Sequence, residues 1–144
     1  MKITSRFTVA VHTILCIYIF RKDRKVTSEF IASSVNVNPV VIRRILGQLR
    51  EAGLVEVRRG TGGADLARDV KAMTLLDVYR AVESVEGGLF NFHEAPNPSC
   101  PVGRNIHSVL DGHLTDAQKA MESSLNRVRL SELTSDLKAT VSAR

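Results

Sequence analysis

Asn38 followed by Pro39 is the strongest helix start in this 144-residue chain. Asparagine accepts a backbone N–H as an N-cap. Proline at the first helical position gives up only an N–H that has no helical partner there. Downstream, Ile42, Ile45, Leu46 and Leu49 fall at i, i+3, i+4 and i+7, which turns one apolar stripe toward a core. The opposite face carries Val40, Arg43, Arg44, Gly47 and Arg50. A shorter helix is expected just before it, capped by the hydroxyl of Thr27 or Ser28 and ending near Val35. The turn Val35-Asn36-Val37-Asn38 between them makes the pair a helix-turn-helix.

The next segment reads as a wing. Gly53 stops the second helix. Leu54 to Val57, then Arg58 and Arg59, form a first strand, Gly60-Thr61-Gly62-Gly63 the turn, and Ala64 to Ala67 a return strand. The glycines let this backbone approach another surface closely. They are not a nucleotide-phosphate loop, because no Gly-Lys-Ser/Thr follows and no strand leads into a helix.

The rest of the chain is helical by its spacing. Phe7, Val11, Ile14, Leu15 and Tyr18 predict a helix from about Ser5 to Phe20, and Arg21 to Lys25 a charged loop. Thr74, with Asp77 at the capping-box position, predicts a helix to about Val85 with Leu75, Val78, Val82 and Val85 buried. Glu86 to Gly103 is a proline- and glycine-containing loop, long enough to suggest a function. Beyond it Ile106, Leu110, Leu114, Ala117, Met121, Leu125 and Val128 recur in three- and four-residue steps. That predicts a long amphipathic helix, covered either by the same helix of a second copy or by the first helix of its own chain. Ser131 to Leu137 suggests a short last helix with a frayed end.

The expected fold is mainly α: a winged helix-turn-helix with a small two-stranded wing and a long C-terminal dimerisation helix. Residues 1–85 form the DNA-binding domain, 86–103 a sensor-type loop, and 104–144 the dimerisation helix and tail. No apolar run is long enough to span a bilayer, and the start lacks the pattern of a signal peptide, so a cytoplasmic protein is expected.

The charge distribution suits either a phosphate-bearing partner or a solvated basic surface. Residues 1–63 hold eleven Lys/Arg against four Asp/Glu, a net +7, while residues 64–144 hold nine against eleven, a net −2. The basic excess lies on the half that carries the helix-turn-helix, where it can neutralise phosphates. Pro39, Val40, Arg43 and Arg44 occupy the helix half that faces bases in a major groove, with Arg43 or Arg44 for guanine and Val40 for a thymine methyl. Asn38 and the amides behind it suit a phosphate. Arg58, Arg59 and Gly62 place the wing on a minor groove or backbone, and Ser5, Arg6, Thr27 and Ser28 sit at helix starts where phosphate contacts are common. Aromatic residues are only 5%, too few to offer single-stranded RNA much stacking surface. No activated nucleophile, paired carboxylates or cofactor fingerprint points to an enzyme, and no cofactor is expected.

These segments resemble the Rrf-two family of bacterial winged-helix regulators. The residues that carry the resemblance are Ser5-Arg6-Phe7, the stretches from Asn38 to Ile45 and from Leu49 to Val55, then Arg59 to Ala64 and Thr74 to Glu83. The resemblance implies a homodimeric repressor or activator acting on duplex DNA, with the long helix forming the dimer; a repressor is the expectation, and a dimer would read a pseudo-palindromic operator. Cluster-binding members carry three cysteines before that helix. This chain has Cys100 alone there, within Asn97-Pro98-Ser99-Cys100-Pro101-Val102-Gly103, which is similar to the cluster-free YwnA- and HypR-like branch. In HypR-type members an oxidised first-helix cysteine is part of the switch, and Cys16 has a similar setting, one turn from His12. Cys16 and Cys100 are therefore the redox candidates, with inert packing the alternative for Cys16. A metal- or iron–sulfur-sensing regulator using Cys100 with His93, His107 or His113 is the alternative function.

Overall fold

The computed structural model describes residues 4–83 and 89–143. Six helices and one small sheet succeed one another in the order α1 (Ser5–Phe20), α2 (Ser28–Val35), α3 (Pro39–Glu51), β1 (Val55–Val57), β2 (Ala64–Leu66), α4 (Leu75–Val82), α5 (Pro101–Asn126) and α6 (Leu130–Ser142). β1 and β2 pair antiparallel, with Val55 opposite Leu66 and Val57 opposite Ala64. The fold is a winged helix-turn-helix continued into a long helix.

Local chemistry sets the helix starts. Thr4, one residue before the expected start, caps α1 and accepts from the Arg6 amide at 3.3 Å. Thr27 caps α2 and accepts from Phe30 N at 3.1 Å. Asn36 ends α2 in the left-handed region at φ 66°, a conformation asparagine tolerates well. Asn38 Oδ1 then takes the Val40 amide at 2.9 Å, with Pro39 in the first turn of α3. Thr74 and Asp77 form a complete capping box on α4.

The expected stripe of α3 is the core: Ile42, Ile45 and Leu49 are fully buried and Leu46 nearly so. It meets Ala10, Ile14 and Ile17 of α1, Ile31 of α2, and Val26, Leu54, Val55 and Met73. On α4 the buried positions are Leu76, Val78 and Val82; Leu75 only borders the core, contrary to the spacing-based expectation. The helix ends at Val82 because Glu83 is extended, and the expected Val85 lies outside the described residues.

α5 starts at Pro101, inside the segment expected as loop, so Gly103 is helical. Asn97 is the cause. Its side chain accepts from the Ser99 amide at 2.9 Å and its carbonyl from Cys100 N at 3.2 Å, folding the loop over the helix start. A Cβ at Gly103 would collide with the Asn97 carbonyl, so only glycine fits. The helix runs 26 residues without one buried side chain. The expected tail is also more ordered than its sequence suggested. α6 spans 13 residues and returns to the winged helix-turn-helix, burying Leu130 and Thr134. The return is zipped by backbone hydrogen bonds from Leu130 N to Met73 O and from Leu75 N to Val128 O, both 2.9 Å.

Candidate nucleic-acid interface

Anchored by its buried stripe, α3 turns Val40, Val41, Arg43, Arg44 and Arg50 outward. Val40 is 52% exposed and sits in the first turn of α3. The wing stands beside this face. A groove of about 560 Å³ runs between them, with Arg43, Gly47 and Arg50 on the helix side, Arg58, Arg59 and Gly60 on the wing side, and Ser28 and Glu29 at the α2 end. The wing is held in place beside Gly63: Ala64 N donates to Val26 O at 2.8 Å, and Gly63, at φ +73°, has no room for a Cβ against the Val26 backbone. At the wing tip a Cβ on Gly62 would collide with the Arg58 side chain.

The arginines do not share one environment. Arg43 donates from Nη2 to Glu29 Oε1 at 2.7 Å. That bond, with the Glu29 amide and the Ser28 hydroxyl, holds the Glu29 carboxyl below the usual carboxylate range. Arg58 faces Asp65 at 3.9 Å across the wing. Arg6 lies 3.9 Å from Glu83, whose carboxylate also accepts from Thr4, so its expected phosphate contact competes with an internal partner. Among the described residues Arg44, Arg50 and Arg59 have no carboxylate at ion-pair distance. Ser5 is exposed at the start of α1, while Thr27 is spent on capping and Ser28 on Glu29.

Three contributors were not singled out by the sequence. Glu29 is the first. Arg50 was placed on the outer face but not assigned to the site, and it walls the groove. The third is the charged loop Arg21 to Lys25, which lies against Arg58, Gly62 and Asp65 of the wing in a hollow of about 340 Å³. Its run of charge was the available signal.

The two thiols differ. Cys16 is buried on α1, donates from Sγ to Ser34 Oγ at 3.3 Å, and is joined through that hydroxyl to His12 Nε2 at 2.9 Å. Burial pushes the thiol up, and Ser34 offsets this only in part. The imidazole therefore reaches the sulfur through a hydroxyl rather than directly. Cys100 is the N-cap of α5, where the amides of Gly103 and Val102 lower its pKa.

A family profile described as an iron-dependent transcriptional regulator, Rrf2, matches residues 3–136. The chain belongs to the Rrf2 family. YwnA of Bacillus subtilis (strain 168), a candidate HTH-type transcriptional regulator, is 44% identical over 135 residues, which is 94% of this chain and 98% of YwnA. A solved candidate transcriptional regulator from Lactobacillus plantarum superposes with a TM-score of 0.77 at 29% identity, over 93% of this chain and 90% of its own. A solved candidate DNA-binding protein does so with a TM-score of 0.71 at 39% identity, over 90% and 98%. This Rrf2 protein is thus a DNA-binding transcriptional regulator, not an enzyme.

The family description mentions iron, and the donor set does not suit it. A thiolate-held cluster needs several cysteines, and Cys16 and Cys100 are the chain's two. The His93 and His107 rings lie tilted against each other with centroids 5.1 Å apart, and His107 Nδ1 is engaged by Asp111 at 2.9 Å. Among the described residues no group of three or more His, Cys, Asp or Glu is placed to hold a metal ion. No helix of the described chain is long and apolar enough to cross a membrane.

Proposed function

We propose that this chain is a homodimeric, sequence-specific repressor in the cytoplasm that reads duplex DNA with α3 and clamps the backbone with its wing. The observation that carries this is the groove between α3 and the wing, walled by Arg43 and Arg50 on one side and Arg58 and Arg59 on the other, with the exposed Val40 and Arg44 on the same anchored helix outside it. Arg44 is suited to guanine and Val40 to a thymine methyl. Asn38 and Ser5 are candidates for phosphate, and Arg59 for the minor groove or backbone. Repression needs only occupancy of promoter DNA by this interface.

The dimer reading rests on α5. At about 1.5 Å per residue it is some 39 Å long. Val102 is 70% and Val109 64% exposed on a helix with no buried residue, which favours cover from a second copy. For the signal, the lowered pKa of Cys100 supports a thiol-oxidation response centred there rather than at Cys16.

The test is enrichment of duplexes from a randomised pool by the full chain. A pseudo-palindromic consensus is expected, with Arg44→Ala losing about 1–3 kcal/mol of preference for it over a scrambled duplex. Arg59→Ala is expected to weaken both duplexes alike. No enrichment, or unchanged preference in Arg44→Ala, contradicts the reading.

A further inference from the structure

Among the described residues, Glu29 is the one acidic side chain lining a groove otherwise walled by Arg43, Arg50, Arg58 and Arg59. For a surface that must attract phosphate this is a cost, since a carboxylate there weakens the field of its neighbours. A charge in the first turn of α2 favours that helix, but the pair with Arg43 is not accounted for by stability. Glu29 and Arg43 are more than half exposed, and ion pairs of that kind add little to a fold.

The geometry offers a different reason. Glu29 is held from below: Thr27 caps α2, and the Ser28 hydroxyl donates to Glu29 Oε2 at 3.2 Å. The other oxygen, Oε1, takes Nη2 of Arg43 at 2.7 Å, a short charge-assisted bond that crosses from α2 to α3. A free arginine on a helix face samples many rotamers, and freezing it on a base costs affinity. Here part of that ordering is done before DNA arrives. A guanidinium has donors left after one such bond, enough for a bidentate grip on guanine while Glu29 keeps its own. The same carboxylate penalises any register in which a phosphate, rather than a base edge, comes to Arg43.

We propose that Glu29 is a specificity-determining positioning residue, which fixes Arg43 for a base in the major groove and disfavours duplex bound out of register. This rests on the duplex-reading assignment above.

The experiment measures Kd for a duplex enriched by the wild-type full chain and for a scrambled duplex of the same composition. It does so with wild type, Glu29→Gln and Glu29→Asp, with thermal melts alongside. Glu29→Gln removes the charge. Its scrambled-to-selected Kd ratio is expected to fall about tenfold, in part because scrambled binding tightens. Glu29→Asp keeps a charge at the start of α2 but is one methylene too short to hold Arg43. It is expected to lose preference for the selected duplex while binding the scrambled one as wild type does. A role confined to helix-start charge predicts wild-type behaviour for Glu29→Asp. If both variants keep the wild-type ratio with unchanged melting, the positioning role is wrong although the duplex reading stands. If the wild type enriches no duplex, both fall together.

Discussion

Residues of one type serve different ends here because their neighbours differ. Arg43, Arg44 and Arg50 share a helix face, yet among the described residues only Arg43 of these has a carboxylate partner, so Arg43 is held while Arg44 and Arg50 are not. The cysteines diverge for the same reason. Backbone amides at the start of α5 favour the Cys100 thiolate, while burial favours the Cys16 thiol. At a given pH the thiolate fraction is greater for the group with the lower pKa. Iodoacetamide labelling of the native chain, with mass spectrometry as the readout, should therefore modify Cys100 first, with its rate rising at lower pH than that of an unperturbed thiol. Cys16 should lag until the chain is unfolded. Equal native rates would contradict this. Which arginine is paired was not legible in the sequence: Glu29 and Arg43 are fourteen positions apart and meet only because α2 crosses α3.

At the scale of elements, the helix-turn-helix was the most legible part, because periodicity and caps agree there. Ile42, Ile45, Leu46 and Leu49 are the buried face of α3, and Thr27, Asn38 and Thr74 all act as caps. The start of α5 and the length of α6 were less legible. One depends on Asn97 folding back over Gly103, and the other on Leu130 docking beside Met73, both tertiary events. Two glycines make opposite predictions. Gly63 is left-handed, and its added Cβ would lie 3.0 Å from the Val26 backbone, so Gly63→Ala should lose about 1–2 kcal/mol in chemical denaturation and loosen the wing. Gly47 lies inside α3 with open space around it, so Gly47→Ala should gain about 0.5–1 kcal/mol. It should nevertheless weaken duplex binding, because Gly47 lines the groove. Gain in both stability and affinity would place the DNA elsewhere.

Across the whole molecule, charge and apolar surface are segregated. The basic excess sits on residues 1–63, and helix α5, which has no fully buried side chain, lies in the mildly acidic remainder. The division suits a protein that meets phosphate with one end and a second copy with the other. Leu114→Glu, in the middle of the α5 stripe, should shift the sedimenting species from dimer to monomer while leaving the helix-turn-helix folded. A monomeric wild type, or a dimer indifferent to this change, would leave α5 unexplained. Such a dimer presents two copies of α3 related by a two-fold axis, so the DNA it holds must show the same symmetry. The most direct test is a hydroxyl-radical footprint of the wild-type protein on a duplex it has enriched. Two symmetric protected half-sites are expected, with centres about one or two helical turns apart. A single asymmetric patch, or protection that ignores sequence, would contradict a two-fold reader of duplex DNA.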